Sequence, residues 1–219
     1  MTADAGVARG RRRAALLPLG VVLLALVVGL VVVVNRGGDG DGDVASEELV
    51  RVDATPAVRY ATLAELAGAS DVVVRGEVVD IARGRTVGGQ PGDGGAPVGA
   101  VVSRLVTVRV DEVLAGGDGS LAPGGQVVVE EEGWLTDGRA IALNGARPPE
   151  VGDEGIWFLD AIDDPDLPLF VTVNTQGRFL SPGGGALEGT DPEDPLVQSI
   201  VRGTLDELGT EVRALAASR

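Results

Sequence analysis

The chain has 219 residues, with 33 acidic side chains against 18 basic ones that are all arginine, a formal net charge of −15, no histidine and no cysteine. The missing cysteine excludes disulfides, attachment through a lipidated Cys and thiol catalysis. The missing histidine removes the commonest general base and metal ligand, so Ser-His-Asp, Cys-His and ordinary zinc sites are impossible. So acidic a surface repels phosphate backbones, which argues against nucleic-acid binding.

Taken from the N-terminus, Arg9 to Arg13 read R-G-R-R-R, and Ala14 to Val34 carry no charge. Those 21 uncharged residues would form a helix of roughly 31 Å, the thickness of a hydrocarbon core. Seven Leu and eight Val contribute roughly −6 kcal/mol to insertion. Pro18 falls in the first turns, where a missing N–H matters least. A transmembrane helix over 14–34 is therefore expected. Four arginines precede it and Arg36 alone follows it closely, which places residues 1–13 as a cytoplasmic tail and the rest outside the cell membrane. A cleaved secretory signal would export the same domain, but V-V-V-V-N-R-G-G lacks a small-x-small cleavage site, so the single-pass uncleaved anchor is the reading adopted.

Residues 35–45 alternate Gly and Asp and read as a solvated linker. Asp39, Asp41 and Asp43 have the first spacings of a calcium loop, but Val44 and Val50 stand where that loop needs Gly and Glu. One extracytoplasmic domain is expected over 46–219. Thr62-Leu-Ala-Glu65 fits a capping box before a short helix at 62–69. Val72, Val74 and Val78 then share a strand face that Gly76 interrupts. Val106, Val108 and Val110 alternate with Thr107, Arg109 and Asp111, the cleanest period-two pattern in the chain. Further strands are expected at 127–130, 156–160, 169–174 and 178–180. With no helix-length crossovers between most of them, the sheet should be antiparallel. Consecutive Trp157 and Phe158 must face opposite sides.

Two Gly-rich segments, 84–97 and 115–125, read as surface loops and lack a phosphate-binding motif. Asp163, Asp164 and Asp166 in D-D-P-D-L-P form an acidic turn, with weak calcium binding the alternative. Asp194 can cap a C-terminal helix with Pro195 at its first position, and Val197, Val201, Leu205, Leu208, Val212 and Leu215 recur at near-helical spacing.

The order S-D-V-V-V-R-G-E-V, V-T-V-R-V-D-E-V-L-A-G, G-Q-V-V-V-E-E-E, V-G-D-E-G-I-W-F-L and G-R-F-L, over roughly residues 60–182, resembles extracytoplasmic domains of unassigned function that follow a single membrane anchor in high-GC Gram-positive bacteria. The composition, rich in Ala, Val, Gly, Arg and Asp and without Lys, fits such a genome. The layout is also similar to the five-stranded OB-type barrel of tissue metalloproteinase inhibitors and netrin modules. That resemblance implies a mainly β fold, a small antiparallel OB-like barrel with a short N-terminal helix and a C-terminal helix. The inhibitors act through an N-terminal Cys, which this chain lacks, so inhibition by that route is not carried over.

No spacing of carboxylates, Ser, Thr, Tyr60 or Arg forms a known catalytic constellation. The functional expectation is a non-catalytic binding module in the bacterial cell envelope, without cofactor or metal, for an extracellular protein or glycan. The alternative is a carboxylate- or cation-dependent cell-envelope hydrolase. A paired-carboxylate hydrolase would need a second acid across a cleft from Glu130, Glu131 or Glu132. The partner surface is expected at the loops around 84–97 and 131–139, with Trp134 as anchor and Asp137 and Arg139 beside it.

Overall fold

The computed structural model describes residues 49–90, 98–162 and 169–219. The expected membrane helix, the Gly/Asp linker and the D-D-P-D-L-P turn lie outside these residues. Among the described residues, no helix is long and apolar enough to cross a membrane.

Among the described residues the fold is mainly β, a nine-stranded sheet with three helices. In chain order the elements are β1 (Leu49–Val52), α1 (Leu63–Ala69), β2 (Val72–Gln90), β3 (Val98–Gly116), β4 (Gln126–Leu135), β5 (Ala140–Leu143), β6 (Glu154–Ala161), β7 (Phe170–Thr172), β8 (Arg178–Ser181), a 3-10 turn (Pro182–Gly184), β9 (Glu188–Gly189), α2 (Pro195–Ile200) and α3 (Leu205–Ala217). The strands run β1-β5-β4-β3-β2-β6-β8-β9, and β7 pairs with both β4 and β6.

Most pairings are antiparallel as expected, but β1 with β5 and β4 with β7 are parallel, so the sheet is mixed. The parallel pairs arise where the chain travels far between partners. β1 precedes its partner by the whole β2–β3–β4 meander, a distance no hairpin signal encodes.

The alternation read on β3 holds: Val106, Val108 and Val110 are fully buried. They pack with Val72, Val74, Val78, Val127, Val129, Trp157, Leu159 and Leu180 in a valine-rich core on one side of the sheet. The other side of β2, β6 and β8 carries Val73, Ile156, Phe158 and Phe179, which pack against Leu63 and Leu66 of α1, Val197 of α2 and Leu205, Leu208 and Val212 of α3. Trp157 and Phe158 therefore serve opposite cores, as their adjacency required. Gly76 sits at a β-bulge, where a Cβ would run into the Arg109 carbonyl oxygen.

The capping residues do what their sequence indicates, with one shift. Thr62 accepts from the Glu65 N–H at 3.2 Å, while the Glu65 carboxylate reaches back to the Ala61 N–H, one residue earlier than a strict capping box. The C-terminal helical pattern is broken in two. Gly203 weakens it and Thr204 forms a complete capping box with Glu207, restarting the chain as α3. β2 and β3 are also longer than expected, 19 residues each, so 84–90 is strand rather than loop.

Candidate functional site

Two cavities lie along one seam. On one side is the turn after β5, Asn144 to Arg147; on the other is the stretch from Leu187 to Glu193 that leads into α2. Asn144-Gly145 is a turn dipeptide, and Asn144 takes the left-handed conformation at φ 52°. Its Oδ1 accepts from the Ala54 N–H at 2.7 Å, which ties this turn to the segment after β1.

The first compartment, about 440 Å³, has an apolar wall of Leu180, Leu187, Val197 and Val201, with Arg147 and Arg178 at its edge. Both guanidiniums are committed. Arg147 binds Asp153 at 2.8 Å and Glu188 at 2.9 Å, and its third arm donates to the Pro148 carbonyl. The Asp153 hydrogen bond, above all, holds Arg147 above its ordinary pKa. Arg178 pairs with Glu131 and donates to the Arg147 carbonyl at 3.1 Å.

The second compartment, about 350 Å³, is polar. Arg51, Asp53, Thr55, Arg59, Asn144, Asp191 and Glu193 line it. Arg59 ties it to a buried network. Gln176, fully buried, accepts from the Tyr60 N–H and Asn174 and donates to the Tyr60 carbonyl and Asp194. Asp194 caps α2 through the N–H groups of Leu196 and Val197 and binds Arg59 at 2.6 Å. Burial pushes the Asp194 carboxyl up, but hydrogen bonds from Gln176, Val197, Arg59 and Leu196 together outweigh it and leave it below the ordinary carboxylate value. Asp191 fares less well. It is 5% exposed, and its Oδ2 has Arg59 at 3.3 Å and the Thr175 hydroxyl at 3.2 Å. One half-exposed guanidinium thus serves two buried carboxylates.

A buried ionic cluster closes one end of the valine core. Arg104 continues the inward face of Val106, Val108 and Val110, and Glu131 continues that of Val127 and Val129. The Glu131 and Arg178 side chains are each only 8% exposed. Glu131 Oε1 accepts no hydrogen bond among the described residues. Its neighbour Glu130 faces the other way and takes a bidentate bond from Arg85 at 2.9 and 2.8 Å. Glu132 is held above the ordinary carboxylate value, by burial first and by the charges of Glu131 and Glu130 after it.

The residues expected at the partner surface lie elsewhere, around the β4–β5 hairpin. Trp134 is on β4, not in a turn, because Gly133 inserts a bulge between the Ser103–Glu132 and Val102–Trp134 pairs. A Cβ at Gly133 would lie 2.7 Å from the Val102 carbonyl oxygen. The bulge turns the half-buried indole onto two guanidiniums, Arg104 at 4.7 Å and Arg83 at 4.8 Å. Asp137 and Arg139 pair with each other across the exposed turn at 2.7 Å. Trp134 and the Asp137–Arg139 pair thus share one hairpin, with the indole held by arginines of β2 and β3. The seam residues went unread because the six-residue run T-D-P-E-D-P signals only a helix start. Nothing local in it says that Asp191 and Asp194 meet Arg59 across the fold.

No protein-family model matches the sequence, and no curated protein is similar to it.

Proposed function

We propose that this chain is a membrane-anchored binding module, non-catalytic, held at the outer face of a bacterial cell membrane by a single span at 14–34 with residues 1–13 inside. The seam between Asn144–Arg147 and Leu187–Glu193 carries the reading, because an apolar and a polar compartment adjoin there on the same two segments. Such a combination suits recognition: apolar area supplies affinity and a few fixed polar groups supply orientation. Its guanidiniums are tied into ion pairs with carboxylates, which favours static complementarity over proton transfer. The closed circuit of pairings from β2 through β3, β4, β7 and β6 back to β2 supports a small OB-like barrel as the scaffold. The partner class is an extracellular protein or a glycan, and the Trp134 hairpin with Asp137 and Arg139 is a second contact surface.

A carboxylate-dependent hydrolase is the second reading, and one observation favours it: burial holds the Glu132 carboxyl above the ordinary carboxylate range, the direction in which a general acid is tuned. The purified full chain in detergent, assayed for binding and for hydrolysis of cell-wall glycan and secreted protein fractions, separates the two. Saturable binding without turnover is expected. Turnover abolished by Glu132→Gln would replace the binding reading with the hydrolase. A reporter fused after Arg219 tests the topology, and activity of that fusion in the cytoplasm would end it.

A further inference from the structure

We infer that the seam recognises an extended peptide segment of a partner protein in which a lysine or arginine stands two residues from an aliphatic one. The inference rests on the seam being the binding site and adds the chemistry of what enters it.

The argument starts from charge at the polar compartment. Asp191 is buried and lines the cavity, yet among the described residues the cation it pairs with, Arg59, is shared with Asp194 and sits closer to the latter, at 2.6 Å against 3.3 Å. A buried carboxylate with half a counterion is an electrostatic demand that a ligand cation meets. At the rim, Asp53 and Glu193 face Arg51, at 2.7 and 3.7 Å, so two carboxylates again share one guanidinium. Across the compartment acids exceed bases, and the whole chain carries −15. That field draws cationic ligands and repels anionic ones.

Next to this sits the apolar compartment. Its arginines are neutralised by Glu131, Asp153 and Glu188, so they leave no unmatched positive charge to hold an anion. What it offers is the aliphatic surface of Leu180, Leu187, Val197 and Val201. A ligand that fills both compartments therefore has a cationic group and an aliphatic group side by side. In an extended peptide, residues two apart share a face, roughly 7 Å from one another, and supply that pair.

The test uses the full chain in a neutral detergent and three fluorescein-labelled tetrapeptides with blocked ends: Leu-Gly-Lys-Gly, Leu-Gly-Ser-Gly and Leu-Gly-Glu-Gly. Fluorescence polarisation should rank them Lys, Ser, Glu, with about tenfold or more between the first and last. Raising salt from about 0.1 M to about 1 M, which shortens the Debye length from about 10 Å to about 3 Å, should narrow that gap. Val201→Phe, which fills the apolar compartment without changing charge, should abolish binding of the Lys peptide. Asp191→Asn and the exposed Glu193→Gln should each weaken it, and the second is insulated from any folding defect in the first. Equal binding of all three peptides, lost with Val201→Phe, would overturn the cationic chemistry and leave the seam as the site. Lys-peptide binding that Val201→Phe leaves intact would be general attraction to an acidic protein and would overturn the inference. Binding of none of the three would remove the seam reading itself.

Discussion

Replacing Arg178 with Met should be among the most damaging single changes in this protein. Arg178 is buried on β8, pairs with Glu131, and satisfies the Arg147 carbonyl oxygen at 3.1 Å. Methionine fills much of the volume but leaves a buried carboxylate without its cation and a carbonyl without its donor. Breaking a buried pair from one side typically costs about 3–5 kcal/mol. At about 2–4 °C per kcal/mol for a domain of this size, the melting temperature should fall by roughly 6–20 °C. Adding Glu131→Leu to Arg178→Met should recover most of the loss, since both charges are then gone and Leu joins the valines beside it. Thermal and urea melts of the full chain in detergent for both single variants, the double variant and the parent complete the cycle. A single variant within about 1 kcal/mol of the parent, or a double variant as unstable as the two losses summed, would refute the picture of a coupled buried pair.

Other expectations follow from the same geometry. Val108→Asp puts a charge among fully buried valines and should lower stability by several kcal/mol, about 3 or more, in urea melts. Gly76→Val should be comparably harmful, because its side chain meets the Arg109 backbone; normal expression with an unchanged melt would contradict the bulge. Trp134→Ala should cost about 1–2 kcal/mol by uncovering Arg104, and any effect on partner binding should exceed the effect on fold. For pH, the folded Glu132 carboxyl titrates above its unfolded value, so its contribution is fully present below the unfolded pKa and is lost as pH rises through the folded one. Glu132→Gln should flatten that decline in a melting-temperature profile. Asp194 has the opposite sign: its pKa is depressed, so its contribution holds above the unfolded value and is lost as pH falls through the folded one.

Local patterns in the sequence carried much of this architecture. The alternation at Val106 to Val110, the caps at Thr62 and Asp194, and the opposed Trp157 and Phe158 all depend on neighbours within a few residues, and each appears where it was read. Three strands were not legible. β1 and β5 have four residues each and β9 has two, too short for periodicity to register, and each is defined by a distant partner. The glycine content of 84–90 suggested a loop, yet its pairing with β3 keeps it extended. The sequence put Trp134, Asp137 and Arg139 close together but did not show the stacking of the indole on Arg83 and Arg104. The bulge at Gly133 that aims it at Arg104 requires knowing the β3 register. The seam was illegible for the same reason: Arg59, Asn144 and Asp191 are far apart in the chain and no local pattern joins them.

β2 and β6 are walls shared by two rooms. Along β2, Val72 and Val74 belong to the valine core and Val73 to the helix-covered one; along β6, Trp157 and Leu159 face the first while Ile156 and Phe158 face the second. Neither core can open while the other stays intact, because pulling either strand away strips both at once. The described fold should therefore unfold as one cooperative unit. Amide protons of β2 and β6 should exchange only through global opening, on a single timescale, whichever side of the sheet their residues face.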